Sequence, residues 1–331
     1  VKRTLLIDGN NLMMIGFYGV KDYFHNGEHI GAIYYFINTL RKFIEEQNFD
    51  KVVVFWDGED STSIRGVLYP KYKQNRRLTM EEPIFMSYLK QKNRIKQYLE
   101  EVYIRQIEIA GREADDLIAQ YCHVSENEHK LIFSSDRDLT QLISEKVSIY
   151  SPSLKATFKH GDKIKFDSFE FPHYNVKTLK ILTGDKSDNI EGIYLLGEKT
   201  LVKFFPEILE KQVSYSDILT RAEDLLKEQK DNQTLKNLLT GKTKSGIFEN
   251  EFFEVNEQIV DLSNPLLKDE DKEEISQIVN ETLETEGRSY KNIIRYMVED
   301  GLFKYLPKGD DSWTYFLKPF MKLTRKEKNK K

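Results

Sequence analysis

A single cysteine, Cys122, stands in a chain of 331 residues, which excludes an internal disulfide and leaves no thiol cluster for zinc. Set in a helical apolar pattern, it reads as a core thiol rather than a nucleophile. Long apolar runs are also lacking. None approaches the roughly 20 residues that a membrane span needs, so no anchor is expected. The chain enters a strand at Thr4-Leu5-Leu6-Ile7, leaving no room for a secretory signal, and a cytoplasmic location is expected. No internal repeat is visible. Charge of one sign is not in large excess either: the formal net charge of −4 would speak weakly against a nucleic-acid partner if it were evenly spread. It is not. RGVLYPKYKQNRR, residues 65–77, carries Arg65, Lys71, Lys73, Arg76 and Arg77 without an acid, and Lys90, Lys92, Arg94 and Lys96 follow.

Three β-branched, apolar runs each end in aspartate. They are Leu5-Leu6-Ile7-Asp8, Val52-Val53-Val54-Phe55-Trp56-Asp57, and Leu131-Ile132-Phe133-Ser134-Ser135-Asp136, with Asp138 just beyond. Apolar runs of this length, separated by helix-patterned stretches, predict buried parallel strands, and such strands present ligands beyond their carboxyl ends. One strand ending in Asp-Gly is ordinary turn chemistry. Three together predict an acidic site along one sheet edge. The alternation of strands (4–8, 52–56, 103–108, 131–135) with helices (31–47, 79–101, 113–124) predicts an α/β fold with a mostly parallel central sheet flanked by helices. Short strands are expected at 147–150 and 156–158, and helices from 176 onward. The expected organisation is an α/β core over 1–175, a helical region over 176–323, and a basic, disordered tail over 324–331.

More carboxylates join the set. Gly111-Arg112-Glu113-Ala114-Asp115-Asp116 opens a helix, where acids also serve as caps that the helix dipole favours by about 0.3–1 kcal/mol each. Glu113 and Asp116 share a helical face, whereas Asp115 points with Glu113 only if the regular helix begins after 113. The two alternatives give different ligand sets. A further pair, Asp185 and Asp188, lies in Gly184-Asp185-Lys186-Ser187-Asp188-Asn189. Nine carboxylates (Asp8, Asp57, Glu113, Asp115, Asp116, Asp136, Asp138, Asp185, Asp188) are therefore candidates for one site. At about 4 Å and an effective dielectric near 20, each like-charged pair costs on the order of 4 kcal/mol, so cations are required. All-oxygen donors without His or Cys select Mg²⁺ or Mn²⁺. Two such ions can activate water and stabilise the leaving oxygen of a phosphodiester.

The series IDGNN (7–11), FWDG (55–58), YKQNR (72–76), GREADD (111–116), SSDRDL (134–139) and GDKSDNI (184–190) resembles the 5′ nucleases of replication and repair. These are the flap endonucleases and the 5′→3′ exonuclease domains of bacterial polymerases, whose core is PIN-like. SSDRDLTQL and IIRYMVEDGLFKYL are similar to phage members of the RNase H type, 5′ nucleases despite that name.

The resemblance implies a metal-dependent 5′→3′ exonuclease and flap endonuclease with two Mg²⁺ ions, for which Mn²⁺ substitutes. Its substrates would be branched or nicked double-stranded DNA with a 5′ single-stranded flap and the primers of RNA–DNA hybrids. It implies that Asp8, Asp57, Glu113, Asp115 and Asp136 surround one metal, and that Asp138, Asp185 and Asp188 surround the second, with Asp116 close by. Lys73 and Arg76 would contact the scissile phosphate from a helical arch over about 70–100, where Tyr69, Tyr72, Phe85 and Tyr88 either stack on bases or pack in the core. A helix–two-turn–helix element over about 180–206 would grip duplex backbone through Gly197, Lys199, Thr200 and Lys203, with Arg65, Lys71 and Arg77 adding cations upstream. Its turn departs from the family pattern by carrying Tyr194-Leu195-Leu196, which puts a potassium site there in doubt.

A monomer is expected. Candidate protein partners are a single-strand-binding protein or a sliding clamp, and a phage-encoded chain would act in the bacterial host cell. Two other readings share part of the pattern: a PIN-type ribonuclease, and a non-enzymatic DNA junction-binding protein.

Overall fold

The computed structural model describes residues 1–76, 80–246, 251–281, 286–305 and 312–328. Its centre is a six-stranded sheet of β1 (Arg3–Asp8), β2 (Lys51–Asp57), β3 (Arg105–Ile109), β4 (His129–Phe133), β5 (Val147–Ser151) and β6 (Ala156–Phe158). The order across the sheet is β3-β2-β1-β4-β5-β6. The first five strands are parallel and β6 is antiparallel to β5. Strand order reverses at β1, with β2 on one side and β4 on the other, and that switch point opens a crevice at the carboxyl ends. Asp8, opposite Phe55, and Asp57, opposite Ile109, end their strands there.

The helices are α1 (Gly9–Gly19), α2 (Gly31–Gln47), α3 (Ser63–Leu68), α4 (Glu82–Glu101), α5 (Ala114–Val124), α6 (Val176–Thr183) and α7 (Glu198–Phe204). After them come α8 (Tyr215–Glu228), α9 (Gln233–Thr240), α10 (Phe252–Val260), α11 (Asp269–Asn280), α12 (Tyr290–Glu299) and α13 (Ser312–Lys328).

Strand alternation divides the core. Leu5, Ile7, Val52, Val54 and Trp56 pack against α1, α2 and α4, joined by Met297 of α12 and Phe320 of α13. Leu6, Val53, Phe55, Ile132 and Ile149 face α5 and α11 on the other side. A third cluster joins α6–α10 through Leu182, Leu201, Leu235 and Phe252. Each fully buried aliphatic or aromatic side chain contributes about 1.5–3 kcal/mol, so these clusters hold the layers together. No helix among the described residues is long and apolar enough to cross a membrane. Cys122 is buried in the α5 core, and burial pushes its thiol up to about 12, far from nucleophilic.

The expected disordered tail is helical as far as Lys328. Thr324 is buried and its hydroxyl donates to the Phe320 carbonyl. Lys326 donates to Asn48 Oδ1 at 2.7 Å and to the Phe49 carbonyl at 3.1 Å, and Arg105 meets Glu327 at 2.8 Å. The partners of Lys326 and Glu327 lie more than 200 residues upstream, so local composition cannot register them.

Candidate metal and nucleic-acid site

Asp8 closes β1 and caps α1: Oδ1 accepts from the Asn11 amide at 2.9 Å and Oδ2 from Ser134 Oγ at 2.9 Å. The same serine hydroxyl accepts from the Asp136 amide at 3.0 Å, tying the end of β1 to the loop after β4. Asp57 accepts from the Ala114 amide at 2.8 Å and from Asn10 Nδ2 at 2.6 Å, which docks the start of α5 onto β2. The regular helix begins after Glu113, whose extended backbone (φ −84°, ψ 147°) makes it the N-cap, so the second of the two spacing alternatives holds. Asp115 enters the field of Asp136 and Asp8.

Asp116 turns the other way. Arg65 grips it through two hydrogen bonds, at 2.6 and 3.0 Å, and the Leu266 amide donates to Oδ1 at 3.1 Å. Arg65 also donates to Glu113 at 2.7 Å and to the Ile259 carbonyl at 3.0 Å, and is only 5 % exposed. Arg65 was expected to contact nucleic acid and Asp116 to stand near a metal. They form a buried ion pair beside Glu113, which shares Arg65 Nη1 with Asp116, so Asp116 stays close to the acids while the Arg65 guanidinium is turned away from solvent.

A second group assembles from Asp138, Asp185 and Asp188, each offering an oxygen within 4.8 Å of the others. Asp185 and its neighbours lie in a hairpin, Gly184–Asp185 against Ile190–Glu191, that directly follows α6. Gly184 makes this turn possible: it sits at φ +71°, and a Cβ there would come within 2.4 Å of the Gly192 nitrogen.

Two lysines stand among the acids. Lys73, in left-handed backbone (φ 49°) and anchored by its amide to the Asp188 carbonyl at 2.9 Å, directs its ammonium onto Glu113 and lies 3.9 Å from Asp188. The Tyr72 hydroxyl donates to Glu113 at 2.9 Å and holds that carboxylate in place. Lys180, on α6, lies between Asp138 and Asp185, 2.5 Å from the latter. The sequence reading missed Lys180, because a lysine in an amphipathic helix carries no mark of its burial. It also passed over Ser134 and Asn10, which only the packed strand ends reveal as braces.

The electrostatics of the two groups differ. Burial, then Asp57 and Asp136, push Asp8 up to about 7 against the opposing hydrogen bonds. Burial, then Asp136 and Asp8, push Asp115 well above the usual carboxylate range. Burial also raises Asp57. In the second group burial is outweighed: Lys180 and the Ser187 hydrogen bonds hold Asp185 down at about 2. Glu113 is likewise held low against burial by Lys73 and Arg65. A protein ammonium thus neutralises part of the second group and another holds Glu113 ionised, while burial and mutual repulsion push Asp8 and Asp115 toward protonation. Oxygen-only donors, close grouping and raised acids fit hard divalent cations such as Mg²⁺ or Mn²⁺.

Of the expected nucleic-acid contacts, Lys71 pairs with Glu191 at 2.9 Å, while Lys199 and Lys203 are exposed on α7, with Gly197 at its N-cap. Thr200 is half-buried on the same short helix. Arg77 and the side chain of Arg76 lie outside the described residues. Tyr69, Tyr72 and Tyr88 pack in the core, whereas Phe85 is exposed.

A family model for the 5′-3′ exonuclease, N-terminal resolvase-like domain, matches residues 3–169, a little over half of the chain. The chain is 32% identical over 208 residues to a thermostable DNA polymerase I of Thermus filiformis, covering 62% of this chain and 24% of the polymerase. It is 28% identical over 214 residues to a 5′-3′ exonuclease of Buchnera aphidicola, covering 62% of this chain and 72% of that protein. The chain thus spans about a quarter of the length of the polymerase relatives it matches. Among solved structures, a zinc-bound 5′-exonuclease of phage T5 superposes with a TM-score of 0.67 at 19% identity, over 86% of this chain and 100% of that one. A T5 flap endonuclease in complex with DNA and metal ions gives 0.60 at 19% identity, over 98% and 100%. The fold is that of these nucleases, a mostly parallel six-stranded sheet flanked by helices.

Proposed function

Because the chain belongs to the 5′-3′ exonuclease family, we propose that it is a divalent-metal-dependent 5′→3′ exonuclease and flap endonuclease. Its substrates in this reading are nicked or 5′-flapped duplex DNA and the RNA primers of RNA–DNA hybrids, removed during DNA replication, including that of a phage in its bacterial host. The observation that carries the reading is the meeting of two carboxylate groups at the sheet's switch point with the Lys73 ammonium between Glu113 and Asp188. Asp8, Asp57, Asp115 and Asp136, with Glu113, would hold one Mg²⁺, and Asp138, Asp185 and Asp188 the other. Asp116 serves as the counter-ion of Arg65. When bound, these cations neutralise the phosphodiester and acidify the attacking water.

The chain's own groups do the positioning. Lys73 is held protonated by the Glu113 and Asp188 carboxylates despite burial, so it is a fixed donor to a non-bridging phosphate oxygen that replaces its contact with Glu113. Arg76 would clamp the same phosphate bidentately. Lys180 keeps Asp138 and Asp185 from repelling each other before substrate arrives. In-line hydrolysis leaves a 5′-phosphate on one end and a 3′-hydroxyl on the other.

Cleavage of a labelled 5′-flap duplex in Mg²⁺, in EDTA and with Asp136→Asn tests the proposal. Incision near the junction that needs Mg²⁺ and is lost in Asp136→Asn, with binding retained, supports it. Binding without incision in any divalent ion would leave a junction-binding protein, and preference for single-stranded RNA over flap DNA would leave a PIN-type ribonuclease.

A further inference from the structure

Away from the acids, His173 is the polar side chain that packing explains least. It stands in the short turn ahead of α6 and is 3% exposed, yet among the described residues neither ring nitrogen has a hydrogen-bond partner. A neutral imidazole carries one donor and one acceptor, and burying both unmatched is costly unless something else engages them. Burial, then neighbouring His160, hold His173 below the ordinary imidazole range and so keep it neutral, the form that binds metal.

What faces it is a second imidazole. The chain after β6 reverses through Gly161, at φ +87°, and the His173 amide donates to the Asp162 carbonyl at 3.2 Å, which brings His160 beside the buried ring. The two ring centroids are 5.3 Å apart, with planes at 65°. Two imidazoles on one tetrahedral metal, their nitrogens about 2.0–2.1 Å from it, would have centroids about 5.2 Å apart. His160 Nε2 in turn lies 3.6 Å from Glu145 Oε1. That gap is too long for a hydrogen bond but close to the separation of two ligand atoms on such a metal, about 3.3 Å. Two imidazoles and a carboxylate suit zinc and its neighbours in the transition series rather than Mg²⁺. Among the described residues only Asp138, Asp185 and Asp188 already bring three ligand atoms within 4.8 Å of one another, so an ion here must draw His160 and Glu145 inward. Their side chains are 51% and 85% exposed and free to turn. Both line an open cleft of about 570 Å³ alongside β5 and β6, which gives an ion its way in.

We propose that His173, His160 and Glu145 form a site for a transition-series divalent cation, Zn²⁺ foremost, that clips the turn after β6 and the loop before β5 to the head of α6. Such a clip fixes the origin of the helix that carries Lys180 and runs into the Gly184 turn. The proposal stands whether or not the chain is a nuclease. The test follows the imidazole resonances of the six histidines by NMR while Zn²⁺ is added in excess Mg²⁺. His160 and His173 shift together at one equivalent. In His160→Ala the affinity read at His173 falls by at least about a hundredfold, more than the loss of an outer partner costs, which separates this site from Zn²⁺ held by the carboxylates. Glu145→Gln weakens binding about tenfold with both imidazoles still shifting. His173→Phe keeps the edge-to-face packing on Tyr174 and removes the unpartnered nitrogens. Its thermal midpoint in EDTA stays level or rises, while the rise of about 3 °C that Zn²⁺ gives the parent is lost. A His173 ring that does not respond to Zn²⁺ in the parent, or an undiminished response in His160→Ala, overturns the proposal. Equal affinity in Glu145→Gln overturns the carboxylate's place in it.

Discussion

Removing a charge from the acid cluster is expected to stabilise the metal-free protein and to reverse its effect once metal is added. Asp8 gives the clearest case. Its pKa in the folded chain is about 7 against an ordinary 3.8, so ionising it there costs roughly 4 kcal/mol above neutrality. The sign follows from proton binding. The folded state holds the proton more tightly than the unfolded chain, so the penalty is absent below about pH 4, grows through the interval to about pH 7, and is full beyond it.

Asp8→Asn keeps an oxygen to cap α1 through the Asn11 amide, and the Ser134 hydroxyl can turn to accept from the new amide. Allowing for the hydrogen-bond strength lost with the charge, a gain of about 2–4 kcal/mol is expected near pH 8, falling to about 1–2 kcal/mol near pH 5. For a chain of this length that is a rise of roughly 3–6 °C in the unfolding midpoint in EDTA at the higher pH. Added Mg²⁺ then raises the midpoint of the parent protein through binding to the folded state and does so much less for the variant. Calorimetry or circular dichroism at the two pH values, with and without Mg²⁺, reads all four corners. An unchanged or lowered midpoint for Asp8→Asn in EDTA near pH 8 would refute the electrostatic account of the site.

Arg65→Met leaves Glu113 and Asp116 buried without their cation, and is expected to cost about 3–5 kcal/mol in urea unfolding, whether or not DNA is present. A variant that kept its stability and lost only DNA affinity would restore the surface role expected from sequence. Lys180→Met removes the ammonium that competes with a cation for Asp138 and Asp185, so Mn²⁺ binding by calorimetry should tighten by about tenfold, with the Asp185 pKa rising from its low value. Weaker Mn²⁺ binding would show instead that Lys180 organises the group. Truncation after Thr324 removes the Lys326 contacts with Asn48 and Phe49 and the Arg105–Glu327 pair, and should lower stability by about 1–3 kcal/mol in a denaturant titration. An unaffected midpoint would return those residues to the status of a fraying end.

The fold class, and the gathering of carboxylates at the carboxyl ends of the strands, were legible in the sequence. Buried parallel strands announce themselves through local, continuous β-branched runs, and an aspartate at the end of such a run lies at the sheet's ligand-binding edge whatever surrounds it. Asp8, Asp57 and Asp136 were placed in this way. The resemblance of six motifs then pointed to the family.

What each charged side chain does was decided by packing alone. Arg65 sits in the same basic run as Lys73, and nothing local separates them. Yet one is sealed against Asp116, 51 residues away, while the other reaches among the acids. Glu113, Asp115 and Asp116 are neighbours in sequence, but the helix start after Glu113 sends Asp115 toward Asp8 and Asp136 and Asp116 toward Arg65. Lys180 became part of the site, and residues 324–328 part of a helix, through partners distant in the chain. Ionisation and pairing depend on the desolvation and neighbours of each group, and those are properties of the assembled core rather than of any stretch of sequence.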